Sequence, residues 1–222
     1  MATLKELSYD IYQHIRSNSS DDDSVDLRNI KYWIRTQRNL WLKNILAKYK
    51  VTSPNIIQDL GTLSLELSGI YKRTTIDLPR FLTINQEPQI IRVGPVTLSA
   101  IGKDYSVIPY QQSKFINSGR FNTNVVFAFL HNNRIYIAGS ASIIGTTTLN
   151  GLTTLNVRGV FEDPLDVTWY GSPVNIAFTE DMEYPIDEGF IPYIKGEILK
   201  ADVISALKAP QDPSNNASND LN

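Results

Sequence analysis

The sequence predicts an α+β fold: an N-terminal helix pair and a C-terminal helix form a small bundle, with an antiparallel β-sandwich or barrel-like region inserted between them. Three observations lead there. Apolar residues recur at steps of three and four through the first fifty residues and again after residue 190. Between these stretches Thr, Val, Ile and aromatic residues dominate, and Gly or Pro interrupts them at about ten-residue intervals. At 222 residues and 42 % hydrophobic content, the chain has enough apolar surface to bury a core.

The expected organisation is a helical hairpin over residues 1–55, a β-rich insert over 56–183, a closing helix over 184–209 and a flexible polar tail over 210–222. In the first helix Leu4, Leu7, Ile11 and Ile15 draw one apolar stripe. It ends in the polar run from Ser17 to Asp23, and Asp23 or Ser24 can cap the second helix. That second helix is predicted from about Val25 to Lys50, with Leu27, Ile30, Ile34, Trp41 and Ile45 on its apolar face. Thr52-Ser53-Pro54 stops it, because the residue before proline is pushed out of helical conformation. A short loop between the two implies an antiparallel pair.

Within the insert, Val125 to Leu130 and Arg134 to Ala138 are β-rich runs on either side of His131-Asn132-Asn133. Asparagine tolerates positive φ, so this unit reads as a hairpin. A further alternating run, Thr153 to Phe161, ends before Pro164. The last helix starts near Ile191-Pro192, since proline is accepted in a first turn, and continues through Ile194, Ile198, Leu199, Val203, Ile204 and Leu207 to Pro210. Its apolar positions run most of the way round, which predicts burial between partners. Gln211 to Asn222 is nearly all Asn, Ser, Asp and Pro and has almost nothing to bury.

Chemistry is poorly provided for. The chain has no cysteine, and its two histidines, His14 and His131, lie far apart in sequence. Thiolate nucleophiles, disulfides and Cys-based metal sites are excluded. No phosphate-loop, dinucleotide-binding or nucleophile-elbow string occurs. Asp21-Asp22-Asp23 lacks the alternating ligands, glycine and later glutamate of a calcium loop, and capping of the next helix accounts for it better. No catalytic residue, cofactor or metal is therefore expected. No run reaches the length of a membrane span, and no secretory signal pattern opens the chain, which predicts a cytosol-like site of synthesis and no membrane partner.

Charge is more informative. From Leu27 to Gln58 there are seven basic residues and no acid, and Arg28, Lys31, Arg35 and Arg38 recur at helical steps as one stripe. From Gly159 to Ile194 there are eight acids and no base, including Glu180, Asp181, Glu183, Asp187 and Glu188. Two readings stay open. The faces meet within one fold, or they form a head-to-tail interface in which one subunit's basic stripe meets its neighbour's acidic patch. A nucleic-acid-binding helix is a third use of the stripe, although Tyr32, Trp33 and Trp41 serve equally as core.

Several segments resemble one family: the helix pair with its basic second helix, the hairpin Phe127 to Ile137, the phrase Val157-Arg158-Gly159-Val160-Phe161-Glu162-Asp163-Pro164, and Tyr184-Pro185-Ile186 through Ile194 with the helix and polar tail beyond. They resemble structural ring, or head-to-tail connector, proteins of short-tailed bacteriophages, particularly the crAss-like group. The likeness spans nearly the whole chain as a pattern of segments. It implies a virion structural protein, made in the host cytoplasm, that forms a homo-oligomeric ring, typically twelve-fold. Such a ring connects the portal to neighbouring tail ring proteins, and DNA passes its lumen without sequence readout. The nine charged residues named above are then candidate contacts with a neighbouring subunit or the portal. The polar tail would order on assembly. Another tail ring or a fibre-docking adaptor is the alternative, and a carbohydrate-binding or carbohydrate-cleaving protein is a third.

Overall fold

The computed structural model describes residues 2–18, 25–49, 53–96, 104–116, 125–139, 152–171 and 174–201. Helix α1 spans Leu4–Asn18 and α2 spans Leu27–Tyr49. A capping box starts α1: Glu6 N donates to Thr3 Oγ1 (3.1 Å), and Thr3 N donates to Glu6 Oε2 (2.9 Å). The cap of α2 is Asp26, whose Oδ1 accepts from Arg28 N at 3.1 Å. The sequence pointed to Asp23 or Ser24 for that role, and both lie outside the described residues. Helix α3, Ile191–Ala201, comes after a 3-10 turn whose start is capped by Asp187, and it carries Pro192 in its first turn as expected.

Helices α1, α2 and α3 do pack together. Leu4, Leu7, Ile11 and Ile15 of α1 bury against Ile30 and Ile34 of α2, Ile194 and Ile198 of α3, and Tyr184 and Ile186. An ion pair from Lys195 to Asp10 ties α3 to α1. Within its described part α3 is one-sided, because Pro192, Tyr193 and Lys200 face solvent. The all-round burial expected of it is not seen there, and Val203 to Leu207 lie outside the described residues.

Eleven strands are found among the described residues of the insert. In chain order they are β1 (Gln58–Ser68), β2 (Tyr71–Thr74), β3 (Thr83–Ile84), β4 (Glu87–Pro88), β5 (Ile90–Gly94) and β6 (Ser106–Val107). Then come β7 (Val126–His131), β8 (Arg134–Gly139), β9 (Thr154–Gly159), β10 (Thr168–Trp169) and β11 (Ile176–Ala177). Seven form one sheet in the order β5-β9-β1-β2-β8-β7-β6. Its hub is the long β1, whose first part pairs with β9 and whose last four residues pair with β2. Among the described strands of this sheet the neighbours pair antiparallel, except β6 with β7, and Gly61 of β1 makes an isolated parallel bridge with Tyr170.

The edges curl toward each other. Tyr105 N donates to Val93 O (2.7 Å), and Arg92 Nε meets Asp104 Oδ1 (2.7 Å), so β5 and the approach to β6 nearly close a barrel. Alternation decides which side chains go in. Ile135 and Ile137 join Leu60, Leu63, Val93, Leu155 and Val157 in the interior, while Tyr136 and Ala138 face outward. On that outer face Ile116 covers Phe129, and Tyr110 stacks on His131 with ring centroids 4.1 Å apart. The β7–β8 hairpin has the predicted turn. His131 pairs with Arg134, and Asn132 and Asn133 sit at φ 49° and 57°, as a two-residue type I′ loop requires.

One expectation for α2 needs correcting. Its buried residues are Ile30, Ile34, Arg38, Leu42 and Leu46, while Trp41 and Ile45 are only half-buried. The helix changes partner along its length. Its first half lies on the helical core, and Leu42 and Leu46 pack with Ile56, Leu82, Ile84 and Val160 at the foot of the sheet. A single stripe drawn from one periodicity cannot follow that change.

Candidate functional site

The basic stripe and the acidic segment lie against each other along the seam between bundle and sheet. Lys31 Nζ reaches Glu180 Oε2 at 2.6 Å, Lys5 Nζ reaches Asp181 Oδ1 at 3.0 Å, and Arg35 pairs with Asp163. Backbone bonds hold the acidic segment to the start of α1, with Lys5 N donating to Glu180 O and Tyr184 N to Ala2 O, both at 3.2 Å. Thr3 and Glu183 form an isolated bridge. Solvent screens pairs as exposed as these, so their effect is registry more than stability.

Arg38 is different in kind. It has no exposure to solvent. Its Nε donates to Pro185 O (2.8 Å), and its Nη1 donates to Phe161 O and Asn39 Oδ1 (3.0 Å each). Asn39 Nδ2 in turn donates to Glu162 O at 2.8 Å. The Arg38 guanidinium also lies 5.7 Å from the centre of the Tyr184 ring. Burial pulls its pKa down, opposed by nearby Tyr184 and Asp163. Arg38 thus clamps the strand exit at Phe161 and the segment at Pro185 onto α2.

The nine sequence candidates therefore divide. Lys31, Arg35 and Arg38 are engaged inside the chain, as are Glu180 and Asp181, and Asp187 caps a turn. Arg28, Glu183 and Glu188 are exposed. Asp163, Asn39 and Lys5 were missed as contributors. The usable signal was the complementarity of an acid-free and a base-free segment, which includes Asp163. Nothing marks the carbonyls of Phe161 and Pro185, since every residue has one.

Around this seam lies an open groove of about 410 Å³, lined by Leu4, Arg28, Tyr32, Arg35, Asp163 and Tyr184 among others. A second groove of about 550 Å³ lies between the β3–β4 hairpin and the 3-10 segment Tyr110–Phe115. Among the described residues no group of three or more carboxylates and histidines is placed to hold a metal, and Asp21 to Asp23 lie outside them. No described helix is long and apolar enough to cross a membrane.

Burial also sets a pH response. The Tyr184 hydroxyl is pushed up to about 12 by burial, against a smaller opposing effect of Arg38, and burial pushes Tyr105 up to about 12 as well. The folded state favours the neutral phenol. Its contribution is whole below pH ~10 and is lost as pH rises through ~12, on the order of 2–3 kcal/mol for Tyr184 and less for Tyr105, whose charge solvent screens more. Urea midpoints measured from about pH 9 to about pH 12 are expected to fall over that window. Tyr184→Phe should flatten the slope, and an unchanged slope would remove Tyr184 as its cause.

No curated protein matches the chain. The sequence profile of the family described as phage tail ring protein 2, the crAss ring 2 family, matches residues 6–221. With nearly the whole fold inside that match, the chain belongs to the phage tail ring protein 2 family, a structural component of the phage tail.

Proposed function

We propose that this tail ring protein forms a closed homo-oligomeric ring coaxial with the portal, joins the portal vertex to the next tail component, surrounds the DNA channel and does no covalent chemistry. The family match over residues 6–221 carries the reading. The surface supports it: Tyr32, Leu40, Leu67, Ile70 and Phe115 are each more than half exposed, apolar area that copies and partners can cover. Twelve copies is the order to be tested.

Lys31, Arg35 and Arg38 then act by holding one subunit in shape, with Glu180 on Lys31, Asp163 on Arg35 and backbone carbonyls on Arg38, and Asp181 adds its own pair with Lys5. Contacts with a neighbouring copy fall to Arg28, and the outer side of the segment carrying Glu183, Asp187 and Glu188 is left to the portal or the next tail ring. Subunit pairs of ordinary interface size, on the order of 1,600 Å², suffice, because closing the ring makes the last contact intramolecular.

Cryo-electron microscopy of the purified chain with the portal protein of the same particle tests this. The expected result is a ring stacked on the portal, with DNA in its lumen in filled particles. A ring seated elsewhere in the tail would replace the connector role with that of another tail ring. A lone monomer in the particle would overturn both.

A further inference from the structure

We propose that the tip of the β3–β4 hairpin of one copy docks into the α2 groove of the next, with Glu87 meeting Arg28. This rests on the ring reading above and specifies its interface. The groove has an apolar floor of Leu4 and Tyr184 and carries three cations, Arg28, Lys31 and Arg35. Asp163 holds Arg35 and Glu180 holds Lys31. Arg28 is the cation left without a side-chain partner among the described residues, so the groove fits a segment that brings one carboxylate.

The described carboxylates narrow the donor to one. Most are in ion pairs or caps, and Glu183 and Glu188 make contacts of their own. Glu162 and Asp166 are not in ion pairs, but they flank Asp163 on the same patch and cannot serve a contact between two different patches. Glu87 is exposed and carried on a separate element. It comes directly after a two-residue turn in which Asn85 and Gln86 sit at φ 50° and 69°. Glutamine in that region is uncommon, and strained turns of this sort cluster where a segment has a task.

Placement suits a head-to-tail contact. Ile84 anchors the hairpin on Leu42 and Leu46 near the end of α2, while the groove opens beside Arg28 to Arg35 at its start. At 1.5 Å per residue Arg28 is about 21–27 Å from Leu42 and Leu46 along the helix, too far for the hairpin to meet it within a subunit. Joining them between subunits makes a heterologous interface, the kind that closes into rings.

The test is a charge swap in the full chain, with assembly followed by sedimentation velocity and mass photometry across protein concentration. Glu87→Arg and Arg28→Glu are each expected to raise the concentration for half-assembly by at least about tenfold, with the thermal midpoint of the unassembled chain, taken below that concentration, unchanged, since both residues are exposed. The double variant is expected to return to within about threefold of wild type. Normal assembly of Glu87→Arg, or a double variant no better than the singles, would overturn the docking while leaving the ring intact. A wild-type chain that stays monomeric at every concentration would overturn the ring reading and this proposal together.

Discussion

Arg38→Ala is expected to lower the stability of the chain by about 3–5 kcal/mol, a large share of what a domain of this size possesses. The substitution removes the donors for Pro185 O, Phe161 O and Asn39 Oδ1 at one stroke and opens a cavity at a fully buried position. Each orphaned buried acceptor costs ~1–3 kcal/mol, and the cavity adds to that. Arg38→Met separates the two effects. It refills much of the volume and buries no charge, so it should sit between wild type and alanine. Arg38→Lys should do no better than methionine. A single ammonium cannot reproduce a fork aimed at two separate carbonyls, and it must still be desolvated. Urea midpoints with slopes measured alongside decide the order. An alanine variant within about 1 kcal/mol of wild type would show that Arg38 is not the clamp.

That residue also marks where reading the sequence stopped. The stripe of α1 was legible because its four apolar residues face one core, and the β7–β8 turn was legible because two adjacent asparagines carry its geometry locally. Both are short-range facts. Arg38 reads as surface because arginine is seldom buried and because it stands in register with Arg28, Lys31 and Arg35. What buries it are backbone carbonyls 123 and 147 residues away in sequence. The same limit hid the change of partner along α2, where Leu42 and Leu46 replace the expected Ile45.

The charged surface was half legible for the same reason. An acid-free helix and a base-free segment predicted that opposite charges meet, and Lys31 to Glu180 and Arg35 to Asp163 are such meetings. Composition does not say whether they meet within a chain or between chains. That depends on where the fold places each segment. Once three of the stripe's cations are accounted for internally, the search for an inter-subunit contact narrows to Arg28.

Gly61→Ala should have an effect of similar size, from backbone geometry instead of charge. Gly61 has φ 70°, and a Cβ there would lie 2.2 Å from Tyr170 O and 2.9 Å from Trp169 Nε1. The close approach is functional in the fold. At this bulge β1 turns aside from β9 and instead receives the segment leaving β10, with Thr62 N donating to Tyr170 O (2.6 Å) and Tyr170 N to Leu60 O (2.9 Å). Asp59 braces the bulge by accepting from Gly61 N (2.7 Å), Asn156 Nδ2 (2.6 Å) and Arg158 Nε (2.7 Å). An added methyl must push Tyr170 away and break both backbone bonds while holding alanine in the left-handed region. Together these cost about 3–5 kcal/mol. Gly69→Ala is the matched control. Its φ is 63°, but nothing lies within 4 Å of the new Cβ, so only the conformational strain of ~1 kcal/mol applies. The near-ultraviolet signal of Trp169 should change in the first variant and not in the second, because only the first displaces β10. Equal losses in the two variants would mean that positive φ alone sets the cost, and that the docking of Tyr170 on β1 contributes nothing measurable.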